Sequence, residues 1–130
     1  ALNRQAIVTS INLGNLTEIA TEGGHSVTPF KGSDKALIMT SMGLKGALII
    51  DGSTLLYVLG SQTKKEDKRE RANKWNHLKK HSKTYIDNDG DAVFETELNM
   101  SGGVTVASIE AFLTRTAVDM MLWVNEVVMS

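Results

Sequence analysis

The sequence predicts an α+β fold in which an antiparallel sheet of about five or six strands packs against helices. Three observations lead to this fold class. Short apolar runs separated by turn residues recur about every ten residues in the first half of the chain, as in an antiparallel meander. A β-hairpin pattern with an Asp/Asn/Gly turn follows in the second half. Apolar residues with helical spacing precede the sheet and close the chain.

Length and composition narrow the possible classes of protein. The 130 residues are expected to form a single domain, residues 1–130, with one hydrophobic core. A net charge of −1 argues against a nucleic-acid partner, and no apolar run approaches the roughly 18 residues of a membrane helix, so we expect no membrane insertion. The chain contains no cysteine, which excludes disulfides, a thiolate nucleophile and cysteine-type zinc sites.

The sequence begins Ala1-Leu2-Asn3-Arg4, without a methionine. Such a start is compatible with cleavage by a signal peptidase and also with a shortened bacterial cytoplasmic protein, because no basic or apolar leader segment is present to decide. Signal peptidases often cut before alanine, so the balance leans slightly towards an exported, periplasmic protein.

The first predicted helix covers Leu13 to Glu22, where apolar residues recur at helical spacing. Asn12 is a suitable N-cap for it, and Gly23-Gly24 is suited to end it. The strands that follow are predicted at Ala36–Met39, Ala47–Ile50 and Leu55–Leu59, with an edge strand at His25–Phe30. Pro29 suits an edge strand because it lacks the N–H that an inner strand must donate.

The second helix is predicted over Lys64 to His81, with charged residues on most faces and a narrow apolar stripe. The strands of the hairpin are expected at Thr84–Asp87 and Ala92–Glu97. Side chains alternate along the second strand, so Phe94 and Leu98 share one face while the glutamates take the opposite one.

The last helix is predicted to run from Thr105, a plausible N-cap, to Val128. Its roughly 24 residues would extend about 36 Å, much farther than a five-residue strand. Part of its apolar face is therefore expected to extend past the sheet and to bind a partner or a second copy of the chain. The residues assigned to this surface are Phe112, Met120, Trp123 and Val127.

Residues on either side of the hairpin carry a family resemblance. Ala72-Asn73-Lys74-Trp75-Asn76 precedes the hairpin, and Gly102-Gly103-Val104-Thr105 opens the last helix. This pattern resembles the YbjN family of small bacterial proteins, described as "putative sensory transduction regulators". The resemblance implies a fold similar to that of type III secretion chaperones, with helices on a curved antiparallel sheet. It supplies no catalytic residue, because the family has no established ones.

The motif residues are expected to be structural; they are Ala72, Asn73, Trp75, Asn76, Gly102 and Gly103. Trp75 lies on the apolar stripe of its helix, where a buried indole adds a large apolar area and needs a partner for its N–H. The amides of Asn73 and Asn76 are expected to bond to nearby backbone. The alternative is a partner-binding surface around the same residues, because aromatic residues are enriched at binding hot spots.

His77 and His81 are four residues apart, a spacing that can hold zinc on one face of a helix. The glutamate of an H-E-x-x-H motif is missing, and the lysines between the two histidines would repel a cation. We therefore expect solvated histidines rather than a metal site.

The segment Asp87-Asn88-Asp89-Gly90-Asp91 resembles the start of a calcium loop. Counted from Asp87, however, the sixth residue is Ala92 and the twelfth is Leu98, where an EF-hand requires Gly and Glu. A hairpin turn explains the same residues, because Asn, Asp and Gly tolerate the positive φ angles of tight turns.

The basic run from Lys64 to Arg71 is interleaved with acidic residues and contains no aromatic residue for base stacking. It is therefore interpreted as a solvated helix face rather than a nucleic-acid site.

The sequence thus predicts a non-enzymatic regulatory module, without metal or cofactor, that holds a protein segment on its sheet and on the exposed part of its last helix. A homodimer is a secondary expectation, because the resemblance is to a fold whose members commonly pair. The alternative is a small-ligand sensor with a pocket between sheet and helices, since flexible methionines suit adaptable sites. The residues that would line this pocket are Met39, Met42, Met100, Met120 and Met121.

Overall fold

A computed structural model of the chain describes residues 3–61 and 67–129. In this part of the chain the strands are β1 (Ile7–Val8), β2 (Ser26–Pro29), β3 (Ala36–Ser41), β4 (Leu44–Asp51), β5 (Thr54–Ser61), β6 (Lys83–Ile86), β7 (Ala92–Asn99) and β8 (Val104–Thr105). The helices are α1 (Leu13–Glu22), α2 (Arg69–Leu78) and α3 (Val106–Trp123), and a π-helical turn (Val124–Val128) continues α3.

Six strands form one antiparallel sheet in the order β2-β3-β4-β5-β7-β6, which confirms the predicted α+β fold class. The predicted edge strand is β2, and Pro29 lies at its end. The two-residue strands β1 and β8 pair with each other and close the N-terminal segment onto the start of α3. They were missed from the sequence because two residues are too few to show a periodicity.

The predicted caps of the first and last helices are confirmed. The side chain of Asn12 accepts a hydrogen bond from the backbone N–H of Asn15 at 2.8 Å, and that of Thr105 accepts one from Ser108 at 3.0 Å. Each bond satisfies an N–H that the first turn of a helix leaves without a partner.

The second and third helices differ from their predicted extents. Helix α2 ends at Leu78 instead of His81, because Lys79 adopts an extended conformation with ψ of 129°. Helix α2 begins at Arg69, so Asp67 and Lys68 are not helical as predicted, and the predicted start at Lys64 lies outside the described residues. Helix α3 keeps α-helical geometry only to Trp123, and its last turn widens into the π-helical form.

The hydrophobic core lies between the three helices and one face of the sheet. Alternate residues of the inner strands point into it, among them Leu48 of β4, Tyr57 of β5 and Phe94 of β7. Phe94 is central, because its ring centre lies 6.3 Å from that of Tyr57 and 5.7 Å from that of Trp123. The predicted alternation in β7 is confirmed, since Phe94 is buried and Glu97 is exposed.

Tyr57 is fully buried and crosses over Gly46 of the neighbouring strand. Its hydroxyl donates a hydrogen bond to the sulfur of Met120 at 3.0 Å, which ties β5 to α3. Burial raises the pKa of the Tyr57 phenol above its usual value, so the ring remains neutral. A glycine is required opposite this ring, because a Cβ at Gly46 would overlap the phenol.

A search of the described helices finds none that combines the length and the hydropathy of a membrane span.

The contact between Gly46 and Tyr57 can be tested with Gly46→Ala. We expect the free energy of unfolding to fall by about 1–3 kcal/mol, because the added methyl forces the buried ring out of its place. Urea denaturation followed by circular dichroism measures this loss. Gly60→Ala is the matched control, since a Cβ there meets no atom within 4 Å and Gly60 is also in a strand. Equal stability of the two variants would contradict the packing described.

Candidate functional site

Trp75 fixes helix α2 to the aromatic cluster of the core. Its side chain is only 2% exposed, and its ring centre lies 6.2 Å from that of Phe94 in an edge-to-face arrangement. The indole N–H donates to the hydroxyl of Ser82 at 3.0 Å. The geometry is that of a structural anchor, because both the apolar ring and its polar N–H are satisfied within the chain.

Asn76 joins the same helix to the edge of the sheet. Its amide nitrogen donates to the carbonyl oxygen of Thr84 at 2.9 Å, and its amide oxygen accepts from the N–H of Thr84 at 2.9 Å. These two bonds replace those that a further strand would make with β6. An edge strand blocked in this way is a poor template for the addition of another chain. Asn73, three residues earlier, is exposed.

Thr84 is buried and connects three elements. Its hydroxyl donates to the carbonyl oxygen of Val93 in β7 and accepts from the indole N–H of Trp123 in α3 at 2.8 Å. The backbone N–H and carbonyl of Thr84 bond to Asn76 in α2. The Thr84 hydroxyl bonds to Val93 in β7 and to Trp123 in α3. Sequence reasoning missed this residue, because a threonine in a strand gives no signal of its own.

Gly102 and Gly103 form the turn between β7 and β8. Their φ angles are 85° and 98°, in the left-handed region that favours glycine. The turn brings β8 beside β1, and a Cβ on Gly103 would lie 2.9 Å from the side chain of Ile7. The two glycines thus have a backbone role, and Ala72, which is buried in α2, has a packing role.

The prediction of an exposed surface on the last helix is wrong. Phe112, Met120, Trp123 and Val127 are at most 2% exposed and belong to the core. Helix α1 packs on α3, and α2 packs on the π-helical turn. The ammonium of Lys79 strengthens the latter contact, lying 3.5 Å from a carboxylate oxygen of Glu126.

The predicted methionine pocket is not formed. Met39, Met100 and Met120 are fully buried as core residues, whereas Met42 is 74% exposed in the turn between β3 and β4. Met121 is only partly buried on α3. The five side chains therefore do not line a common cavity.

The structure places the residues of the two candidate metal patterns as follows. His77 lies in the last turn of α2, but His81 follows the end of the helix, so the two do not share a helical face. The Asp87–Asp91 segment is the predicted hairpin turn, in which one carboxylate oxygen of Asp87 accepts from the N–H groups of Asp89 and Asp91. The carboxylates of its three aspartates lie within 4.8 Å of one another.

The predicted solvated basic face is described only in part, because 62–66 lie outside the described residues. In the part described, Arg69 forms an ion pair with Asp67 at 3.7 Å, and both side chains are largely exposed.

The sheet has a second face, opposite to the helices, with an apolar centre. We define the open face by the side chains of Ile38 in β3, Ala47 and Ile49 in β4, and Leu56 and Val58 in β5. Their registers make them direct neighbours: Ile38 pairs with Ala47, Ala47 with Val58, and Ile49 with Leu56. All five are partly exposed, and within 3–61 and 67–129 none belongs to the core or packs against it.

Sequence reasoning missed these residues as a site, although a signal was present. Antiparallel strands with one face in water usually alternate apolar and polar residues. The cores of β4 and β5 read Ala47-Leu48-Ile49-Ile50 and Leu55-Leu56-Tyr57-Val58-Leu59, without a polar outward position. Such runs are typical of strands covered on both faces.

Charged residues border the open face on β4, β6 and β7. Glu95 lies 3.9 Å from the ammonium of Lys83. A hydrogen bond to Glu95, with smaller effects of desolvation and of the charges of Glu95 and Asp87, raises the pKa of Tyr85 to about 12. Glu97 and Lys45 are exposed, and no ion-pair partner is found for either within 3–61 and 67–129.

Three surface cavities lie around helix α2 and the hairpin in the described part of the chain. One of about 200 Å³ adjoins the open face between Leu56, Glu97 and the Lys80–Lys83 segment. Two others, of about 290 and 270 Å³, lie beside α2 near Lys74 and Asn73. Charged residues contribute to the walls of all three, among them Lys83, Lys74 and Arg69.

Comparisons with known proteins agree on one family. The model of the YbjN family, described as "Putative bacterial sensory transduction regulator", matches residues 7–127. A solved structure with the same fold is that of YbjN from E. coli, titled "a putative transcription regulator". It has a TM-score of 0.73 and 17% sequence identity, with 85% of each chain covered. No match was found among curated proteins.

The pair of hydrogen bonds between Asn76 and Thr84 can be tested with Asn76→Ala. Two hydrogen bonds to the backbone are lost and the edge of β6 is uncovered, so we expect about 1–3 kcal/mol less stability in urea denaturation. Asn73→Ala is the control, because Asn73 is exposed on the same helix and should change stability by less than about 0.5 kcal/mol. A comparable loss of stability in both variants would contradict a stabilising role of these two hydrogen bonds.

The anchoring role of Trp75 can be tested with Trp75→Phe. The smaller ring leaves a void beside Phe94 and deprives Ser82 of its N–H donor, so we expect a loss of a few kcal/mol at most, with unfolding still cooperative. Thermal and urea denaturation measure this loss. Unchanged stability combined with lost partner binding would overturn the structural interpretation.

Proposed function

Since the chain belongs to the YbjN family, we propose that it is a regulatory module without enzymatic activity, which acts by binding a polypeptide on the open face of its sheet. The family description supports a regulatory role. The single observation that supports the binding site is the apolar centre of the open face. Its five side chains remain partly exposed, and the three helices of the described residues pack on the other side of the sheet.

The open face fits a polypeptide better than a small molecule. Exposed contiguous apolar patches commonly mark protein interaction sites. The face is formed by neighbouring residues of three strands and is not a deep cavity. The adjoining cavity of about 200 Å³ is smaller than the roughly 300–1,000 Å³ of a typical ligand pocket.

Each edge of the sheet is partly blocked against binding by strand addition. At one edge, Pro29 in β2 lacks an N–H to donate. At the other, the side chain of Asn76 occupies the outward N–H and carbonyl groups of Thr84. A polypeptide is therefore better accommodated on the face of the sheet than along either edge.

The proposed site can be tested with Leu56→Asp, which places a charge at the centre of the open face. Tagged protein is crosslinked in its native cells, and the captured polypeptides are identified by mass spectrometry. The main polypeptide captured by the wild type is either another protein or an untagged copy of the chain itself. We expect Leu56→Asp not to capture it, because binding would bury the new carboxylate.

Val118→Asp is the matched control, since Val118 is 53% exposed on α3, on the opposite side of the sheet. It should capture the same polypeptide as the wild type. Circular dichroism verifies that both variants are folded. Capture that is kept by a folded Leu56→Asp, or lost in both variants, would contradict binding at the open face.

A further inference from the structure

We propose that the cavity of about 200 Å³ beside Leu56 binds an arginine or lysine side chain of the polypeptide on the open face, with Glu97 selecting its positive charge. The occupant is a segment of another protein that carries this basic residue among apolar ones. This inference rests on the proposed function, because it names a chemical property of the partner of the same face. It is carried by the negative charge of Glu97 in a cavity whose lysines already have partners.

The cavity lies where β7 extends past its neighbour β6. Strand β6 starts opposite Glu95, whereas β7 continues to Asn99. The chain enters β6 through residues 80–82, which are held in place by the hydroxyl of Thr96 as it donates to the carbonyl oxygen of His81 at 2.7 Å. The cavity is lined by this segment, by β7 and by the open face of β5.

The cavity is continuous with the open face. Leu56 belongs to both, and its direct cross-strand neighbour on β7 is Glu97. The Cβ atoms of such a pair are roughly 5 Å apart. A polypeptide that lies over Leu56 therefore has the carboxylate of Glu97 within reach of its side chains. The alkyl stem of an arginine or lysine would pack against Leu56, and its charged end would reach Glu97.

Glu97 is the carboxylate of the cavity that lacks a counter-charge. The ammonium of Lys83 lies 3.9 Å from a carboxylate oxygen of Glu95, and that of Lys80 donates to the carbonyl oxygen of His77 at 3.0 Å. For Glu97, by contrast, residues 3–61 and 67–129 supply no ion-pair partner. A basic side chain would complete the pairing of charges here, whereas an acidic side chain would meet two carboxylates.

The contact is expected to give selectivity more than affinity, because Glu97 is exposed. Exposed ion pairs add little binding free energy, and complementary charges mainly exclude wrong partners. The apolar centre of the open face would supply most of the affinity, and Glu97 would determine which segments bind. Arginine should be favoured over lysine, because its planar guanidinium can bind a carboxylate through two parallel hydrogen bonds.

Selection of peptides tests this preference without knowledge of the natural partner. Random peptides displayed on phage are selected on the immobilised full chain, and the enriched sequences are compared with the unselected library. We expect enrichment of arginine or lysine next to apolar residues. The most enriched peptide is then synthesised with a fluorescent label, and its dissociation constant is measured by fluorescence anisotropy.

Charge exchange between peptide and protein tests the role of Glu97. Glu97→Gln should raise the dissociation constant roughly two- to fivefold, and Glu97→Lys about fivefold or more, because the reversal adds repulsion to the lost attraction. A peptide with glutamate in place of its basic residue should bind Glu97→Lys more tightly than the wild type. Glu18→Lys is the matched control, since Glu18 is exposed on α1, and it should leave the dissociation constant unchanged.

A variant elsewhere on the open face separates this inference from the proposed function. Ile38 lies on β3, two strands away from Leu56, so Ile38→Asp should abolish peptide binding whatever the role of Glu97. Ile38→Thr, which keeps a β-branched side chain, replaces it if the charged variant does not fold, and should weaken binding. Circular dichroism verifies the folding of every variant.

The outcomes are distinct. If the Ile38 variant loses binding but the selected peptides lack a basic residue, or Glu97→Lys binds them as the wild type does, this inference is wrong and the proposed function stands. If no peptide is selected, or the selected peptides bind the Ile38 variant as tightly as the wild type, both are contradicted.

Discussion

The packing of three aromatic rings around Phe94 is the interaction on which the rest of the structure depends. Tyr57, Trp75 and Trp123 come from β5, α2 and α3, and each contacts Phe94 of β7. Helices α2 and α3 are consequently held on one side of the sheet, and α1 packs on α3. The polar atoms of these rings are satisfied by Met120, Ser82 and Thr84, so the cluster needs no water in the core.

The helices pack on one side of the sheet, and the residues of the family motif have structural roles in this packing. Trp75 positions the helix, Asn76 covers the outer edge of the sheet, and Gly102-Gly103 turn the chain back towards β1. These residues serve the helical side and the margin of the sheet. The partly exposed apolar residues of the open face lie elsewhere, on strands β3 to β5.

Features set by neighbouring residues were predictable from the sequence, and those set by distant contacts were not. The caps at Asn12 and Thr105 depend on residues three positions away and were identified. The burial of Trp123 depends on Thr84 and Phe94, which are far away in sequence, and it was missed. The outward position of Leu56 became visible only once the fold placed every helix on the other face.

The positions of the two tryptophans determine what an optical probe of this chain can report. Trp75 and Trp123 are the only tryptophans in the sequence. Both are buried against Phe94 in the helical layer, with their N–H groups bound to hydroxyls beside β6. Their emission therefore reports on the attachment of the helices and the hairpin. It is insensitive to contacts on the far side of the sheet, where Tyr85 is the nearest intrinsic chromophore.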